Sequence, residues 1–413
     1  MSETATTPWL TVIGVTEAGT NALGPEARAA IEAAEHIFGP ARAIGPLLTE
    51  GKKAEAWQTP LEAMIAQLMA VRGTSTVVLA TGDPMWFGMG ATLARHLAAD
   101  EYEVIPAPGA FSLAAARLKW PLQNCAAISL HGRRIETLEP HIQPGLRILA
   151  LTGDAETVRG AAALLEARGF GGSQLTVLNH MGGSEESRVS FSADQMAETG
   201  IADFNTLAID CVAGPNALLR PAVPGLPDEA FVHDGQLTKR EVRAATLAKL
   251  APAPGLTLWD IGAGCGSVGI EWMRGAPGAR AVAFEKDAER RTMIEQNRLA
   301  LGVPGLEVMA RLAPDGFVEL GAPDALFLGG DVANENLFEA CWRALKPGGV
   351  LVANGVTLEA EAALIARHAK LGGDLARLAI SHLDTVGPYR AFRPRMAVTQ
   401  WAVSKPHQSE DQD

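Results

Sequence analysis

Cysteine is scarce in this 413-residue chain: Cys125, Cys211, Cys265 and Cys341 are the only four, and none stands in a CxxC spacing or near a histidine at ligand spacing. That scatter excludes a disulfide framework and a thiolate zinc site, and no metal is expected. Long apolar runs are also missing, since nowhere do the roughly eighteen apolar residues of a membrane-spanning helix follow one another. The amino terminus, MSETATTPWL, has no basic stretch ahead of an apolar one, so no export signal is read there and a soluble cytoplasmic protein is expected. Basic charge is in deficit. Lys and Arg number 35 against 47 Asp and Glu, a formal net charge of -12, which argues against general affinity for nucleic acid or an anionic membrane. A polyanionic ligand would have to be met by local clusters of Arg or His.

The length exceeds one ordinary domain, and 47% hydrophobic against 20% charged residues is a globular balance, so two or three domains with their own cores are expected. The stretch Ala213 to Gln236 carries Pro215, Pro221, Pro224 and Pro227 among three glycines, which rules out a long helix or a central strand there. We place the main boundary in it: a first domain over 1–225, a second over 226–404, and a polar tail over 405–413 expected to fray. Upstream, strand-like runs at Leu10–Gly14, Val77–Ala80, Tyr102–Ile105, Ala126–Leu130, Arg147–Leu151, Leu175–Leu178 and Thr206–Cys211 alternate with alanine-rich helical stretches. A break at Pro106 to Gly109 divides this half into lobes of about 1–107 and 108–225. Downstream, strands are expected at Thr257, Ala281, Leu306, Ala325 and Val350, with Ala376–Asp384 and Met396–Val403 as an antiparallel pair closing the sheet. A helix is expected over Thr238–Leu250, with Thr238 as its N-cap and Glu241 completing a capping box. The alternation of strand and helix reads as an α/β protein throughout.

The most informative segment is Leu256 to Glu271, LTLWDIGAGCGSVGIE. A short apolar strand runs into a turn made of Gly262, Ala263, Gly264, Cys265 and Gly266, and a helix opens near Ser267 with its positive end and free N–H groups toward that turn. About twenty residues on, the run Ala281 to Phe284 ends in Glu285, where a carboxylate can accept hydrogen bonds from a ribose diol. The spacing is G-x-G-x-G, without the third glycine that a dinucleotide pyrophosphate needs for close approach, so S-adenosylmethionine is the favoured cofactor. Cys265 is read as a small residue in a tight turn. Asp331 follows the strand-like run ending in Leu328-Gly329-Gly330, at the edge where open α/β sheets place ligands; it is either a substrate-orienting base or the cap of a helix near Asn334. Ala313 either walls the adenine or belongs to a plain loop. In the first half, Ala80-Thr81-Gly82-Asp83-Pro84-Met85-Trp86-Phe87-Gly88 ends a strand in a turn that is a ligand shelf or only a turn. Ser129-Leu130-His131-Gly132-Arg133-Arg134 puts an imidazole and two guanidiniums at a strand end, suited to carboxylates or to solvent alike. Tyr389-Arg390-Ala391-Phe392-Arg393-Pro394-Arg395 is a substrate rim or an exposed loop.

These blocks carry a resemblance. TVIGVTEAG, ATGDPMWFGMG, PAPGAFSLAAARLKWP and SLHGR make the first half similar to the tetrapyrrole methylases of corrin synthesis, a two-lobed fold. LTKREVRAATLAKL ahead of LWDIGAGCGSVGIE, then FLGGD and LKPGG, make the second half resemble the class I methyltransferase of the same pathway, a Rossmann-like fold with a mostly parallel sheet. Fused in this order, the halves resemble the family that methylates C-5 and C-15 of a reduced tetrapyrrole and decarboxylates its C-12 acetate. The resemblance implies one S-adenosylmethionine site per half: Gly82, Asp83, Met85 and Ser112 lining the first, and Thr238, Gly262 to Gly266, Glu285 and Ala313 lining the second. Under it we expect Asp331 to handle a proton in the second site, His131 and Arg133 to bind carboxylates or handle a proton in the first, and Arg134 and Arg390 to meet substrate. The partners are a polycarboxylate tetrapyrrole and further copies of the chain, with neither nucleic acid nor membrane. One departure stands out. The first loop reads Gly14-Val15-Thr16-Glu17-Ala18-Gly19 where relatives have a glycine-proline-rich G-x-G-P-G, so Glu17 stands where the family's loop faces substrate. Two other readings remain open, an RNA methyltransferase on the same folds and a noncatalytic S-adenosylmethionine-binding scaffold; the acidic balance counts against the first.

Overall fold

The computed structural model describes residues 8–49, 53–57, 60–197 and 199–407; the expected tail beyond His407 lies outside them. The chain forms two compact units, one of residues 1–135 and 141–218, the other of residues 136–140 and 219–413. Both are α/β, and no described helix is long and apolar enough to cross a membrane.

In the first unit, five parallel strands stand in the order Ala54–Ala56, His36–Gly39, Thr76–Thr81, Leu10–Val15, Tyr102–Ile105. Its central strands are apolar on both faces because both are covered: Ile13, Val15, Val77 and Leu79 enter one core, Leu10, Val12, Val78 and Ala80 the other. The second sheet runs Cys125–Ser129, Arg147–Leu151, Asn205–Asp210, Gln174–Asn179, Ser187–Ser192, with only the first pair parallel. The helix Ala110–Leu118 packs Phe111, Ala114 and Ala115 against this sheet. Three strands escaped the sequence reading. His36–Gly39 and Ala54–Ala56 are four and three residues long, and Ser187–Ser192 is a serine-rich edge with little buried surface.

The second unit is built on a seven-stranded sheet ordered Glu307–Met309, Arg280–Phe284, Thr257–Ile261, Ala325–Leu328, Val350–Gly355, Val398–Ser404, Asp374–Leu378. The first five strands are parallel, and Val398–Ser404 pairs antiparallel with both of its neighbours, Val350–Gly355 and Asp374–Leu378. Alternation is again two-sided: Leu258, Ala281, Ala283 and Phe327 face one core, Trp259, Val282, Phe284 and Leu326 the other. The expected closing run Ala376–Asp384 is in fact interrupted. Asp374–Leu378 joins the sheet, whereas Ser381–Val386 leaves it to pair with Tyr389–Pro394 in a separate hairpin.

Two local expectations are corrected. The first concerns the helix start: Lys239, not Thr238, is the N-cap of Arg240–Leu250, and no side chain caps it. Thr238 instead gives its carbonyl to Arg243 Nη1 at 2.6 Å, which holds the chain extended one residue longer than the capping box assumes. The second concerns Lys405, which is not frayed, since its ammonium donates to the carbonyls of Trp342, Arg343 and Leu345 and so closes the carboxyl end of the helix Glu335–Ala344.

Candidate functional sites

In the second unit the strand Thr257–Ile261 runs into the glycine turn, and Gly262, Gly264 and Gly266 have φ of 72°, 60° and 81°. These are left-handed values that any side chain would strain, so the glycines are a backbone requirement. Gly262 also has little room: a Cβ there would stand 3.2 Å from the amide nitrogen of Gly330. The turn is thereby pressed against the loop that carries Asp331, and two motifs distant in sequence converge at the carboxyl edge of neighbouring strands. Thr238 belongs to the segment lying across the turn, where the Gln236 carbonyl is 3.3 Å from the Cβ position of Gly264.

The turn does not present a row of free amides. Gly262 and Ala263 both donate to the Phe284 carbonyl, Gly264 donates to Glu285 Oε2 at 2.8 Å, and Gly266 donates to the Ala263 carbonyl. The opening amides of the helix Ser267–Gly275 are a separate set, of which Gly269 donates to Asp260 Oδ2. With its own amides engaged, the turn offers little to a pyrophosphate, whereas a sulfonium cofactor needs no such donors, which favours S-adenosylmethionine over a dinucleotide. Glu285 is buried at the end of its strand, with Oε1 accepting from the Asp287 amide, so its orientation is fixed by backbone and each carboxylate oxygen keeps a lone pair for a ligand. Cys265 is buried in the core below the turn, and burial pushes its thiol up to about 11, which removes it from thiolate chemistry. Ala313 is buried in the second core of this unit.

Asp331 is exposed and has φ of 53°. Left-handed backbone at a residue other than glycine costs on the order of 1 kcal/mol and clusters at functional positions. Its carboxylate accepts from Asn334 Nδ2 at 2.9 Å, while Asn334 itself caps the following helix through Leu337. Asp331 thus supports the cap residue without being the cap. Arg390 stands on the exposed hairpin, in register with Thr385, and belongs to a different sheet from the edge that carries Asp331.

Sequence reasoning missed Asp260, immediately before the turn. It is fully buried, with Oδ2 accepting from the Gly269 amide at 2.9 Å and Oδ1 without a hydrogen-bond partner. Desolvation, opposed by that bond and reinforced by nearby Glu285, pushes its carboxyl up to about 7. The signal was legible in Trp259-Asp260-Ile261, a charged residue inside an otherwise apolar strand.

In the first unit the two lobes enclose a cavity of about 320 Å³. Gly82, Asp83, Ser112 and His131 line it, together with Trp86, Phe87 and Phe111. Met85, Arg133 and Arg134 do not. Met85 donates its amide to Asp83 Oδ1 at 2.8 Å, which fixes the shelf turn, and the Arg133 guanidinium lies 5.5 Å from the Phe87 ring centroid. The end of strand Leu10–Val15 is seated tightly, since a Cβ on Gly14 would stand 2.5 Å from the Gly82 carbonyl oxygen.

A charged cluster in this cavity was not foreseen. Glu17, the departure in the first loop, is 3.1 Å from Arg42 Nη1 and 3.6 Å from His180 Nδ1. Arg42 also donates to Thr81 Oγ1 at 2.8 Å and lies over the Phe204 ring at 4.0 Å. His180 follows the strand Gln174–Asn179 with φ of 46°. Its turn is clamped by Glu186, which accepts from the Gly182 amide and pairs with Arg117 on the helix Ala110–Leu118; the Arg117 bond holds the Glu186 carboxyl down at about 2. In the sequence the sign was a histidine between a strand end and two glycines, Asn179-His180-Met181-Gly182-Gly183.

Residues 10–197 match the family model of Tetrapyrrole (Corrin/Porphyrin) Methylases, and residues 229–405 match that of the Precorrin methyltransferase domain. A cobalt-precorrin-6B C(15)-methyltransferase (decarboxylating) from Salmonella typhimurium is 30% identical over 186 residues, covering 44% of this chain and 96% of the relative. A cobalt-precorrin-7 C(5)-methyltransferase from the same organism is 30% identical over 183 residues, covering 44% and 88%. A precorrin-6Y C(5,15)-methyltransferase (decarboxylating) from Sinorhizobium sp is 44% identical over 400 residues, covering 96% of this chain and 97% of the relative. With both halves and the full length matched, this chain is a methyltransferase and belongs to the family of precorrin-6Y C(5,15)-methyltransferases (decarboxylating).

Proposed function

We propose that the chain methylates a reduced precorrin at C-5 and C-15 and removes carbon dioxide from its C-12 acetate, in cobalamin biosynthesis, with one S-adenosylmethionine site in each unit. The observation that carries the reading is the full-length match to a C(5,15) family, supported by a cavity inside the first unit and, inside the second, a glycine turn whose Gly264 amide meets buried Glu285. The relatives that span under half the chain are named for one carbon each, which supports dividing the work: the first unit for C-5, the second for C-15 and the decarboxylation.

S-adenosylmethionine, when bound, supplies the electrophilic methyl group. In the second unit Gly262 to Gly266 would let its backbone lie close, Glu285 would hold the ribose hydroxyls, and Thr238 and Ala313 would flank it. In the first unit Gly82, Asp83 and Ser112 would take the corresponding part along the cavity wall, with Met85 holding the turn. A meso carbon of a reduced tetrapyrrole is enamine-like and already nucleophilic, so the protein's task is to orient it, exclude water and accept a proton. Asp331, exposed at the sheet edge, is the candidate for that proton in the second unit. Decarboxylation needs an electron sink, which a protonated ring imine conjugated to C-12 provides, and the protein has only to settle the charges around it. His131 in the cavity wall, Arg133 and Arg134 at the same strand end, and Arg390 on the hairpin are the candidates for the substrate's carboxylates, which explains local basic groups in an acidic protein. The enzyme is read as cytoplasmic and homo-oligomeric, and sedimentation of the purified chain checks the latter.

The test is D331N in the full-length chain, with methyl-labelled S-adenosylmethionine and the labelled carbons located by NMR. Loss of label at C-15 with retention at C-5 is expected; unchanged C-15 labelling would remove Asp331 from its role.

A further inference from the structure

The geometry points to a base in the first unit that the sequence did not reveal: we propose that His180, backed by Glu17, receives the proton that leaves C-5 when that carbon is methylated. The inference rests on the functional reading above and names the proton acceptor of its first site.

Three observations converge on this imidazole. It lines the cavity, and its backbone is held in a left-handed conformation by a turn fastened on several sides: its amide donates to the Phe204 carbonyl, its carbonyl accepts from Gly183, and Glu186 ties the turn to Arg117. A strained, clamped position facing a cavity marks a side chain whose direction matters. Next, one side of it packs on the Phe204 ring, whose centroid is 5.7 Å from its own, and the side chain is only partly exposed, so an imidazolium formed there gains from a counter-charge. Glu17 supplies it at 3.6 Å from Nδ1 and is itself fixed by Arg42; Nε2, turned away from Glu17, has the exposed Glu185 carboxylate 4.0 Å off. Finally, the other imidazole in the cavity is less well provided. Asp154, a carboxylate that feels the His131 charge, is engaged in capping the helix Ala155–Ala167 through the amide and hydroxyl of Thr157. The charged groups around His180 are Glu17 and Arg42, Glu185 at 4.0 Å on its own turn, the Glu186–Arg117 pair, and Asp203 in the cavity wall.

The step balances as follows. The C-5 π pair forms the new bond to the sulfonium methyl carbon, the carbon–sulfur bond breaks with its pair going to sulfur, and positive charge spreads to the conjugated ring nitrogen. His180 takes the C-5 proton, the C–H pair returns to the ring system, and the imidazolium rests against Glu17 until water removes the proton. Glu17 is a positioning residue in this scheme.

The test uses the full-length protein, with H180N chosen because Asn tolerates left-handed backbone. The expected result is a fall in kcat for C-5 methylation of about 10²-fold or more. The KM for S-adenosylmethionine stays within about twofold, as expected when only a transition-state interaction is removed. C-15 methylation and decarboxylation persist. Substrate deuterated at C-5 should show a larger kinetic isotope effect with H180N than with the parent, and added imidazole should restore part of the rate. E17Q should show the same signature with a smaller loss. C-5 methylation by H180N at the parental rate would overturn the proposal. So would a slowed reaction with neither an enlarged isotope effect nor imidazole rescue, because that pattern marks a structural role. A parent protein that methylates C-15 but never C-5 would remove the functional reading of this unit, and the proposal with it.

Discussion

Asp260 is the residue whose environment makes the sharpest demand. Its carboxyl is pushed up to about 7 by burial, so between about pH 4 and 7 the folded state binds a proton that the unfolded state has released. More protons bound in the native state means stability falls as pH rises through that window, with a slope of up to about 1.4 kcal/mol per pH unit from this group. D260N keeps an oxygen for the Gly269 amide and removes the titration. In the ligand-free protein it should therefore raise Tm at pH 8 relative to the parent and narrow that gain at pH 4, as calorimetry at the two pH values would read. An equal gain at both would contradict the assignment. The thiols carry a second residue-scale prediction. Burial pushes Cys211 and Cys341 up to about 12 and Cys265 to about 11, so a thiol reagent at neutral pH should label none of the three until the protein unfolds. At this scale the sequence was legible where chemistry is written into spacing, as with Gly262, Gly264, Gly266 and Glu285. It was opaque for His180 and Arg42, because a histidine on one strand end and an arginine on a distant helix become partners of Glu17 only once the lobes fold together.

Elements stand where buried ion pairs and close backbone contacts fasten them. In the second unit Arg243, fully buried on the helix Arg240–Leu250, donates to Glu271 at 2.6 Å, and Glu271 also accepts from the amides of Gly225 and Leu226. Removing one partner leaves the other charged and dry, so E271A should cost about 3–5 kcal/mol, read as a fall in the denaturation midpoint. Loss under about 1 kcal/mol would place the pair with surface bridges instead. The glycine turn makes a functional demand at the same scale. G262A puts a methyl group against Gly330 at a left-handed φ, so C-15 methylation should fall by at least about tenfold with C-5 methylation retained. Most strands were readable because two-sided burial writes them as apolar runs. The closing strands were not: Ala376 to Asp384 looks continuous as a pattern, but Asp374–Leu378 pairs with Val398–Ser404 while Ser381–Val386 pairs with Tyr389–Pro394. Pairing partners are a tertiary choice that alternation alone does not encode.

At the scale of the whole molecule, the chain carries two units with separate cores and separate candidate sites, and the account assigns one methyl transfer to each. Titration calorimetry with S-adenosylhomocysteine should accordingly find two equivalents per chain, and G262A should weaken the one in the second unit. The order of motifs along the chain made this division legible, because each unit's ligand-facing segments are nearly contiguous in sequence. The small segment Glu136–Pro140 is the exception, grouped with the second unit through Glu139, which pairs with buried Arg274 at 2.6 Å, a contact that no local pattern announces. The central claim is tested most directly by mass spectrometry of the reduced precorrin-6 macrocycle after incubation with the full-length protein and S-adenosylmethionine. Two methyl groups gained and one carbon dioxide lost is the predicted change. An unaltered macrocycle, or methyl gain at a single carbon in the parent protein, would contradict it.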